Sequence, residues 1–369
     1  MLLILAACTG TNKDDLVSKP DEAPAGDATS GAGSLKLTVP RAVHKATVLN
    51  DGRVLFTGGC TLPGCEGFDQ AQASEIFDPV SRRFSKGPSM ASPRAGHTAT
   101  LLEDGRVLLV GGYPGEGRQA LAAVEVFDPR SNEFHLVDSL SGGRADHTAT
   151  VLKDGSVLIA GGTTGAGNAL ATTEVFDPQT GRFKAGPTLS SRRSGHAAVL
   201  SGARLVLVGG TADFDSALAT TDVLDDGTWN AGPQLRQVRV KHAAIALPDG
   251  TVLVIGGGTD VEGRELLSST EVLNLGSARS RPGPPLSEGQ YKLEGAVTRL
   301  TDGRVVVAGG QRLDVYDPVS AEMSVVAGES APRRSFVSAS TVAASTVLVA
   351  GGYDSSISPT AEARLVRID

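Results

Sequence analysis

The chain has 369 residues, of which 46 are glycine, and aromatic residues make up only 4% of it. A chain of this length exceeds a typical single core unless it is assembled from repeats. The formal net charge of -7 provides no basic surface for nucleic acid, so we expect no nucleic acid partner. The abundance of glycine favours many short strands joined by tight turns.

The first eight residues, 1–8, read MLLILAAC. Leu5-Ala6-Ala7-Cys8 resembles the lipobox at which bacterial lipoprotein precursors are cleaved and lipidated, which implies a lipid anchor on Cys8. The apolar run is shorter than the roughly 7 to 15 residues of a signal h-region and no basic residue precedes it, so we interpret it as a truncated signal peptide. The alternative is an unprocessed apolar N-terminus with an incidental cysteine.

Residues 9–33 are rich in Asp, Ala, Gly, Ser and Pro and lack apolar periodicity. This composition predicts a flexible tether between the anchor and a domain spanning 34–369. The resemblance to a lipoprotein implies a cell-envelope location, on the outer membrane and facing the periplasm or the cell surface, with the membrane reached through Cys8.

Two cysteines remain, Cys60 and Cys65, only five positions apart. They can close a small loop disulfide, and export to an oxidising compartment would preserve it. So short a loop gives about 2 kcal/mol at best, so the bridge would shape one loop without holding the fold together. A metal site is the alternative, but two thiols without nearby histidines complete no zinc set.

An apolar run that ends in two glycines recurs seven times, with a period of 42 to 53 residues. The pairs are Gly58-Gly59, Gly111-Gly112, Gly161-Gly162, Gly209-Gly210, Gly256-Gly257, Gly309-Gly310 and Gly351-Gly352. Before each pair lie two apolar segments, as in HTATLLEDGRVLLVGG from His97, where Asp104-Gly105 separates them. Asp-Gly in this setting predicts a hairpin with a type I′ turn, because both central positions of that turn need positive φ.

A third and a fourth strand follow each hairpin. The third ends in a turn, as in EVFDP from Glu125, and the fourth carries an aromatic residue, as in NEF ending at Phe134. The whole unit resembles the kelch repeat, in which a basic residue and a histidine open the first strand and a double glycine closes the second. The resemblance covers 35–369 and implies an all-β fold, a seven-bladed β-propeller. The tryptophan usual on kelch fourth strands is replaced by Phe84, Phe134 and Phe183, then Trp229, then residues near Ser280 and Met323.

Counting strands predicts how the ring closes. The first three strands of the unit occur seven times, but the fourth follows only six of them before Asp369. Residues 34–39 stand where a fourth strand would precede the first copy. We therefore expect Ser34 to Val39 to pair with the strand near Arg364 to Ile368, which would also cover an edge that otherwise invites aggregation.

The kelch resemblance places two sets of loops on one face, those between the second and third strands and those between the fourth and first. The former vary in length and span 60–73, 113–122, 163–171, 211–219 and 258–268, but only Gln311 and Arg312 in the sixth copy. Variation in loop length on one face usually marks a binding face. We expect a protein or glycan partner there.

Six arginines enter this face, each three residues before the histidine position. They are Arg41, Arg94, Arg144, Arg193, Arg239 and Arg334, and Tyr291 is assigned to the sixth copy. As ligand-binding candidates they could grip a carboxylate, sulfate or phosphate. Alternatively, each pairs between blades with the acid that begins every third strand, since a residue repeated in every blade meets a need of every blade. Those acids are Glu75, Glu125, Glu174, Asp222, Glu271, Asp314 and Glu362.

Histidines recur at the start of the first strand, at His44, His97, His147, His196 and His242. We predict no metal ring and no cofactor, because blades rotated by roughly 50° place equivalent histidines too far apart to share one zinc ion. The histidines are instead expected to buttress the first strand of each blade.

Some propellers related to kelch are copper oxidases or sugar-acid epimerases, so the resemblance leaves an enzyme open. An oxidase of that type needs a cysteine near a tyrosine, and both loop cysteines are already assigned. An epimerase or mutarotase needs one positioned acid or base, such as Glu116, Glu262 or Glu294. Glu294, assigned to the histidine position of the sixth copy, is the weak catalytic candidate.

The leading hypothesis is a lipid-anchored binding or scaffold module, with a structural envelope role as a further alternative.

Overall fold

The computed structural model describes residues 35–369, except 67, 69, 116, 166–168, 214 and 329. Its strands form seven antiparallel sheets, each built from consecutive strands, of which six have four strands and the last has three. The predicted lipobox at 1–8, with Cys8, and the predicted tether at 9–33 lie outside the described residues.

The blades follow the chain order. The first contains β1 (Lys45–Val48), β2 (Val54–Thr57), β3 (Ala73–Asp78) and β4 (Arg83–Ser89), with a 3-10 turn at Pro63–Cys65 before β3. The second contains β5 (Thr98–Leu101), β6 (Val107–Val110), β7 (Val124–Asp128) and β8 (Glu133–Leu136). The third contains β9 (Thr148–Val151), β10 (Val157–Ala160), β11 (Thr173–Asp177) and β12 (Arg182–Ala185). The fourth contains β13 (Ala197–Ser201), β14 (Arg204–Val208), β15 (Thr221–Asp225) and β16 (Thr228–Ala231).

The remaining three blades complete the ring. The fifth contains β17 (Ala243–Ala246), β18 (Val252–Ile255), β19 (Thr270–Asn274) and β20 (Arg279–Pro282). The sixth contains β21 (Val297–Arg299), β22 (Val305–Val307), β23 (Asp314–Asp317) and β24 (Glu322–Val325). The seventh contains β25 (Ser338–Ala343), β26 (Thr346–Ala350) and β27 (Ala363–Arg367). The first strands of most neighbouring blades contact one another, β1 lying against both β5 and β25, so they line a central channel. The seven-bladed propeller predicted from the repeats is confirmed.

The hairpin turn between the first two strands differs from the prediction. In the second blade Gly105 has a φ of 88°, but Asp104 is not among the residues with positive φ. The amide of Gly105 bonds the carbonyl of Leu102 at 3.0 Å, and Asp104 accepts from the amide of Arg106 through its side chain. This is a type I turn followed by a glycine with positive φ. The type I′ prediction was wrong because the aspartate acts through its carboxylate and keeps a negative φ.

The outer two strands of a blade are held by aromatic pairs. Phe127 on β7 stands opposite Phe134 on β8, and their ring centroids are 5.1 Å apart. The third blade repeats this contact with Phe176 and Phe183, at 5.0 Å. Ser280 and Met323 occupy the same register position in the fifth and sixth blades. Those blades therefore lack the aromatic pair.

The ring closes through the N-terminal segment, as predicted, but in a shifted register. Lys36 bridges Glu362, the amide of Leu37 bonds the carbonyl of Ala361 at 2.8 Å, and the amide of Ala363 bonds the carbonyl of Leu35 at 3.0 Å. The pairing thus meets the start of β27 rather than 364–368. The segment leaves the edge after Leu37 because the next two amides turn to a buried carboxylate in the first blade.

Apolar side chains seal this junction. Leu37 joins one cluster with Leu348 of the seventh blade and Phe56 and Phe77 of the first, all under 4% exposed. The N-terminal segment therefore connects the last blade to the first by packing as well as by hydrogen bonds.

Candidate ligand-binding site at the loop-face mouth of the channel

A buried arginine ties the incoming loop to the third strand in five blades. In the second blade, Arg94 donates through Nη2 to Oε1 of Glu125 and through Nη1 to the carbonyl of Gly111, and neither side chain is more than 1% exposed. The other oxygen of Glu125 accepts from the amide of Ala91 at 2.7 Å. Burial lowers the pKa of Arg94, and the adjacent Glu125 opposes that shift. We call this arrangement the arginine latch.

The latch recurs with the same geometry in four other blades, with N to O distances of 2.7 to 3.0 Å. Its pairs are Arg41–Glu75, Arg144–Glu174, Arg193–Asp222 and Arg239–Glu271. Each pair lies within one blade, not between blades as predicted. The guanidinium groups face carbonyls and carboxylates inside the protein, which is the arrangement that the structural alternative requires.

Double glycines form the seam between blades. The amide of Gly59 bonds the carbonyl of Arg94, in the next blade, at 2.9 Å. A Cβ atom on Gly58, whose φ is 62°, would lie 2.2 Å from that carbonyl oxygen and 2.6 Å from the His97 ring. Only glycine allows both the backbone conformation and the close approach.

Blade six shows that two sequence assignments were one residue out of register. The amide of Gly257 bonds the carbonyl of Gln290 at 2.8 Å, the bond that other blades give to an arginine carbonyl. A Cβ atom on Gly256 would meet Leu293 where other blades present a histidine ring. Gln290, not Tyr291, therefore occupies the arginine position, and Leu293, not Glu294, occupies the histidine position.

Four histidines make a hydrogen bond to the blade before them. Nε2 of His147 lies 3.0 Å from Oγ1 of Thr98, and Nε2 of His196 lies 3.0 Å from Oγ1 of Thr148. His44 and His97 use Ser338 and Thr57 in the same way, both at 2.9 Å. Burial is the first cause that lowers the pKa of these histidines, so the rings are neutral and act as neutral hydrogen-bonding groups between blades.

The position directly before the histidine position carries five different residue types among the seven blades. These seven residues, which we call the mouth ring, all have φ between 51° and 65°. They are Val43, Gly96, Asp146, Gly195, Lys241, Lys292 and Phe336. Backbone bonds of 2.9 to 3.1 Å run from Lys241 to Gly195, from Gly195 to Asp146 and from Asp146 to Gly96, so much of the ring is fixed. All seven line a narrow pocket at the loop-face end of the channel.

This mouth pocket has an apolar side and a charged side. Val43 and Phe336 supply the apolar side. The Nζ atom of Lys292 lies 5.1 Å from the centre of the Phe336 ring. Burial raises the pKa of Asp146 to about 6, and Glu294 adds to the shift whereas Lys241 opposes it. The pocket, with a volume of about 40 Å³, therefore presents both an apolar and a charged surface to a small group.

An ion pair crosses the channel just below the mouth pocket. Lys45, the first residue of β1, pairs with Glu294 of the sixth blade, and the Glu294 side chain is 50% exposed. A second cavity of about 300 Å³ continues below this pair along the first strands, lined by Thr98, Thr148 and Ala243 among others. The sequence candidate Glu294 thus lies at the boundary between the two cavities.

The remaining sequence candidates have separate locations. Arg334 pairs with Glu362, but these side chains are 15% and 62% exposed, so this sixth arginine is not enclosed like the other five. Glu262 lies at the rim of a neighbouring groove, and Glu116 lies outside the described residues. The mouth ring itself was missed, although the change of residue type between a repeated arginine and a repeated histidine could have indicated it.

Cys60 and Cys65 form a disulfide, with Cα atoms 4.8 Å apart. The loop they close contacts the seventh blade, since the amide of Gly64 bonds the carbonyl of Ile357 at 3.0 Å. Within the described ranges, no group of three or more His, Cys, Asp and Glu side chains is placed to hold a metal ion. The same part of the chain has no helix long and apolar enough to cross a membrane.

Comparisons with known proteins agree with this architecture. Two family profiles described as "Kelch motif" match residues 93–141 and 143–190, which contain the second and third blades. No curated protein matches the chain. Among solved structures, "Structure of YjhT" is similar over 90% of this chain and 97% of that chain, with a TM-score of 0.58 and 14% sequence identity, so the likeness concerns the fold alone. The chain is a seven-bladed kelch-repeat β-propeller.

Proposed function

We propose that this propeller is a protein-binding module whose loop face receives its partner at the mouth pocket. The observation that carries the proposal is the asymmetry of the mouth ring. The latch arginines and the histidines recur because every blade needs them, whereas the mouth ring places Asp146, Lys241, Lys292 and Phe336 at one repeat position. A residue type that changes from blade to blade in a shared pocket is what recognition of an asymmetric ligand requires.

Side-chain burial favours a protein over a glycan. Sugars are commonly held against exposed aromatic ring faces, but Tyr113, Tyr291 and Tyr353 on the loop face are 3%, 8% and 1% exposed. Phe336 in the mouth pocket is also partly buried. Mixed charges beside an apolar wall suit amino-acid side chains or a peptide terminus. A glycan array tests the alternative of a glycan partner.

Anchoring in the cell envelope is the second part of the proposal, and it rests on the lipobox-like sequence before Cys8. One acyl chain gives only marginal membrane binding, so stable attachment requires more than one chain on that cysteine. Replacing Cys8 by Ser is expected to move the protein from the membrane fraction to the soluble fraction. Unchanged fractionation would contradict the anchor.

Cross-linking tests the binding function. The 369-residue chain with Cys8→Ser serves as bait for envelope proteins, and Asp146→Asn combined with Lys241→Gln removes two opposite charges from the mouth. The matched control is Asp154→Asn with Lys153→Gln, an exposed pair on the turn between β9 and β10, at the opposite face. We expect cross-linked partners to be lost only with the mouth variant. Partners that survive it, or glycan-array binding without any protein partner, would refute the proposal.

A sugar-acid epimerase or mutarotase is the second candidate, favoured by one observation. Asp146 combines a pKa of about 6 with a place in a narrow pocket, as a general acid or base working near neutral pH requires. The former candidate Glu294 is engaged by Lys45. Mutarotation of sugar acids followed by NMR tests this function, and activity that disappears with Asp146→Asn would support it over binding alone.

A further inference from the structure

The short loop of the sixth blade opens a groove beside the mouth pocket. Between β22 and β23 the loop-face connection is reduced to Gln311 and Arg312, whereas the neighbouring fifth-blade connection spans 258–268. A cavity of about 230 Å³ occupies the space left between the loops of the fifth and seventh blades. We call this cavity the side groove; its walls include Leu266, Tyr291, Lys292, Arg333, Arg334 and Ile357.

The side groove exists because the repeated seam is absent at this junction. Neither Gly309 nor Gly310 is among the residues with positive φ, unlike the double glycines of the other six blades. The amide of Gln311 turns to the side chain of Glu288, and Arg334 pairs with the largely exposed Glu362 instead of a buried acid. The groove also shares Lys292 with the mouth pocket, so the two cavities adjoin at this side chain.

The exposed positive charge of the side groove comes from Arg333, because Lys292 is only 4% exposed and Arg334 is paired with Glu362. Arg333, Arg334 and Lys292 line it together with two acids, Glu262 and Asp354. Glu262 pairs with Arg264 at 3.1 Å, and the carboxylate of Asp354 accepts from the amides of its own loop at 2.9 Å. Burial lowers the pKa of Arg334 and nearby Asp354 opposes that shift, so Asp354 also balances part of the charge of Arg334.

Arg333 is the cation best placed to meet a ligand. It is exposed, and one of its N–H groups donates to the carbonyl of Gly289 in the facing sixth-blade loop at 2.5 Å. That bond fixes the side chain across the groove, while a guanidinium group has five donors in a planar fork that matches a carboxylate. Leu266 and Ile357, both partly buried, supply apolar surface on the two flanking loops.

We propose that the side groove binds a carboxylate-bearing segment of the partner protein, an Asp or Glu next to an apolar residue. The carboxylate meets the guanidinium of Arg333, and the apolar side chain packs against Leu266 and Ile357. This inference rests on the proposed protein-binding function and names the chemistry of its partner. The formal charge of the whole chain is -7, so the exposed Arg333 is a local positive charge that favours acidic segments.

Peptide binding measures this directly. Fluorescein-labelled pentapeptides with a central Glu between Leu residues are titrated against the full chain carrying Cys8→Ser, beside the same peptides with a central Gln. The Arg333→Gln variant tests the site. Arg192→Gln is the matched control, because Arg192 is also exposed and also comes directly before the repeated arginine position, but lies in the fourth blade.

We expect the Glu peptide to bind at least about tenfold more tightly than the Gln peptide, since charge-assisted hydrogen bonds are roughly twice as strong as neutral ones. Arg333→Gln should remove that preference and Arg192→Gln should keep it. Equal affinity for both peptides, no binding of either peptide, or equal behaviour of the two variants would overturn the proposal. The cross-linking experiment tests the mouth ring and does not depend on Arg333. If cross-linking captures partners but the peptide titration fails, only the carboxylate site in the side groove is rejected.

Discussion

Gly59 and Arg94 belong to neighbouring blades, and the amide of Gly59 donates to the carbonyl of Arg94 at 2.9 Å. The side chain of Arg94 simultaneously enters the latch with Glu125 in its own blade. One arginine therefore fixes both the position of its loop within the blade and the seam to the blade before it. The arginine therefore recurs along the sequence because each blade needs it both to hold its loop and to contact the preceding blade.

Removal of the Arg94 side chain should destabilise the propeller strongly. Arg94→Leu leaves Glu125 buried without its counter-charge, and breaking a buried ion pair in this way costs about 3 to 5 kcal/mol. Urea denaturation measures the loss. The exposed Arg192→Gln variant is the control and should stay within about 0.5 kcal/mol of the parent. A stable Arg94→Leu protein that has lost a ligand would instead indicate a binding role for this arginine.

Gly58→Ala should cost more than the same change at a glycine with open surroundings. Gly58 and Gly202 have φ values of 62° and 63°, but a Cβ atom meets the Arg94 carbonyl at 2.2 Å in the first case and nothing within 4 Å in the second. Both variants suffer backbone strain of about 1 to 3 kcal/mol. Overpacking adds about 1 to 3 kcal/mol for Gly58→Ala alone. Equal losses in thermal or urea unfolding would show that the seam yields without penalty.

The sequence predicted the features that every blade repeats. Strand counting predicted the ring and its closure, because Asp-Gly turns, double glycines and Asp-Pro turns mark strand ends by local backbone chemistry. The sixth copy was misaligned because both its arginine and its histidine are replaced, by Gln290 and Leu293, which left no marker to fix the register. The variation before the histidine position is visible in the sequence, but only the closed ring shows that Asp146 and Lys292, far apart in sequence, line one pocket.

Ionisation of Asp146 should make stability depend on pH. Its pKa rises from 3.8 to about 6 in the folded protein, so the native state holds this proton more tightly than the unfolded state does. Stability is therefore lost as pH rises from about 4 to 6, by up to about 3 kcal/mol at 1.36 kcal/mol per pKa unit. The free energy of unfolding of Asp146→Asn minus that of the parent should therefore be larger at pH 8 than at pH 4. Urea denaturation at both pH values measures this difference.

Asp154 provides the control of opposite sign. Hydrogen bonds from Ser156 lower its pKa, so its contribution is present above the unfolded pKa and is lost as pH falls. The free energy of unfolding of Asp154→Asn minus that of the parent should therefore be slightly lower at pH 8 than at pH 4. A pH dependence of Asp146→Asn that matched that of Asp154→Asn would contradict the raised pKa of Asp146.

Ala197→Thr should stabilise the seam between the fourth and fifth blades. His196 bonds Thr148 of the blade before it, but the residue that corresponds to Thr148 for His242 is Ala197, which has no hydroxyl. Neither ring nitrogen of His242 makes a hydrogen bond of normal geometry within the described residues, although its ring approaches the carbonyl of Val208. An added Thr hydroxyl is expected to contribute about 0.5 to 1.5 kcal/mol.

The reverse change supplies the comparison for this last prediction. Thr148→Ala removes the partner of His196 and leaves a buried nitrogen unsatisfied, at a cost of about 1 to 3 kcal/mol. Thermal unfolding of the two single variants should therefore move in opposite directions. If Ala197→Thr melts at or below the parent while Thr148→Ala is destabilised as expected, the carbonyl of Val208 already satisfies His242, and the fifth blade needs no hydroxyl from its neighbour.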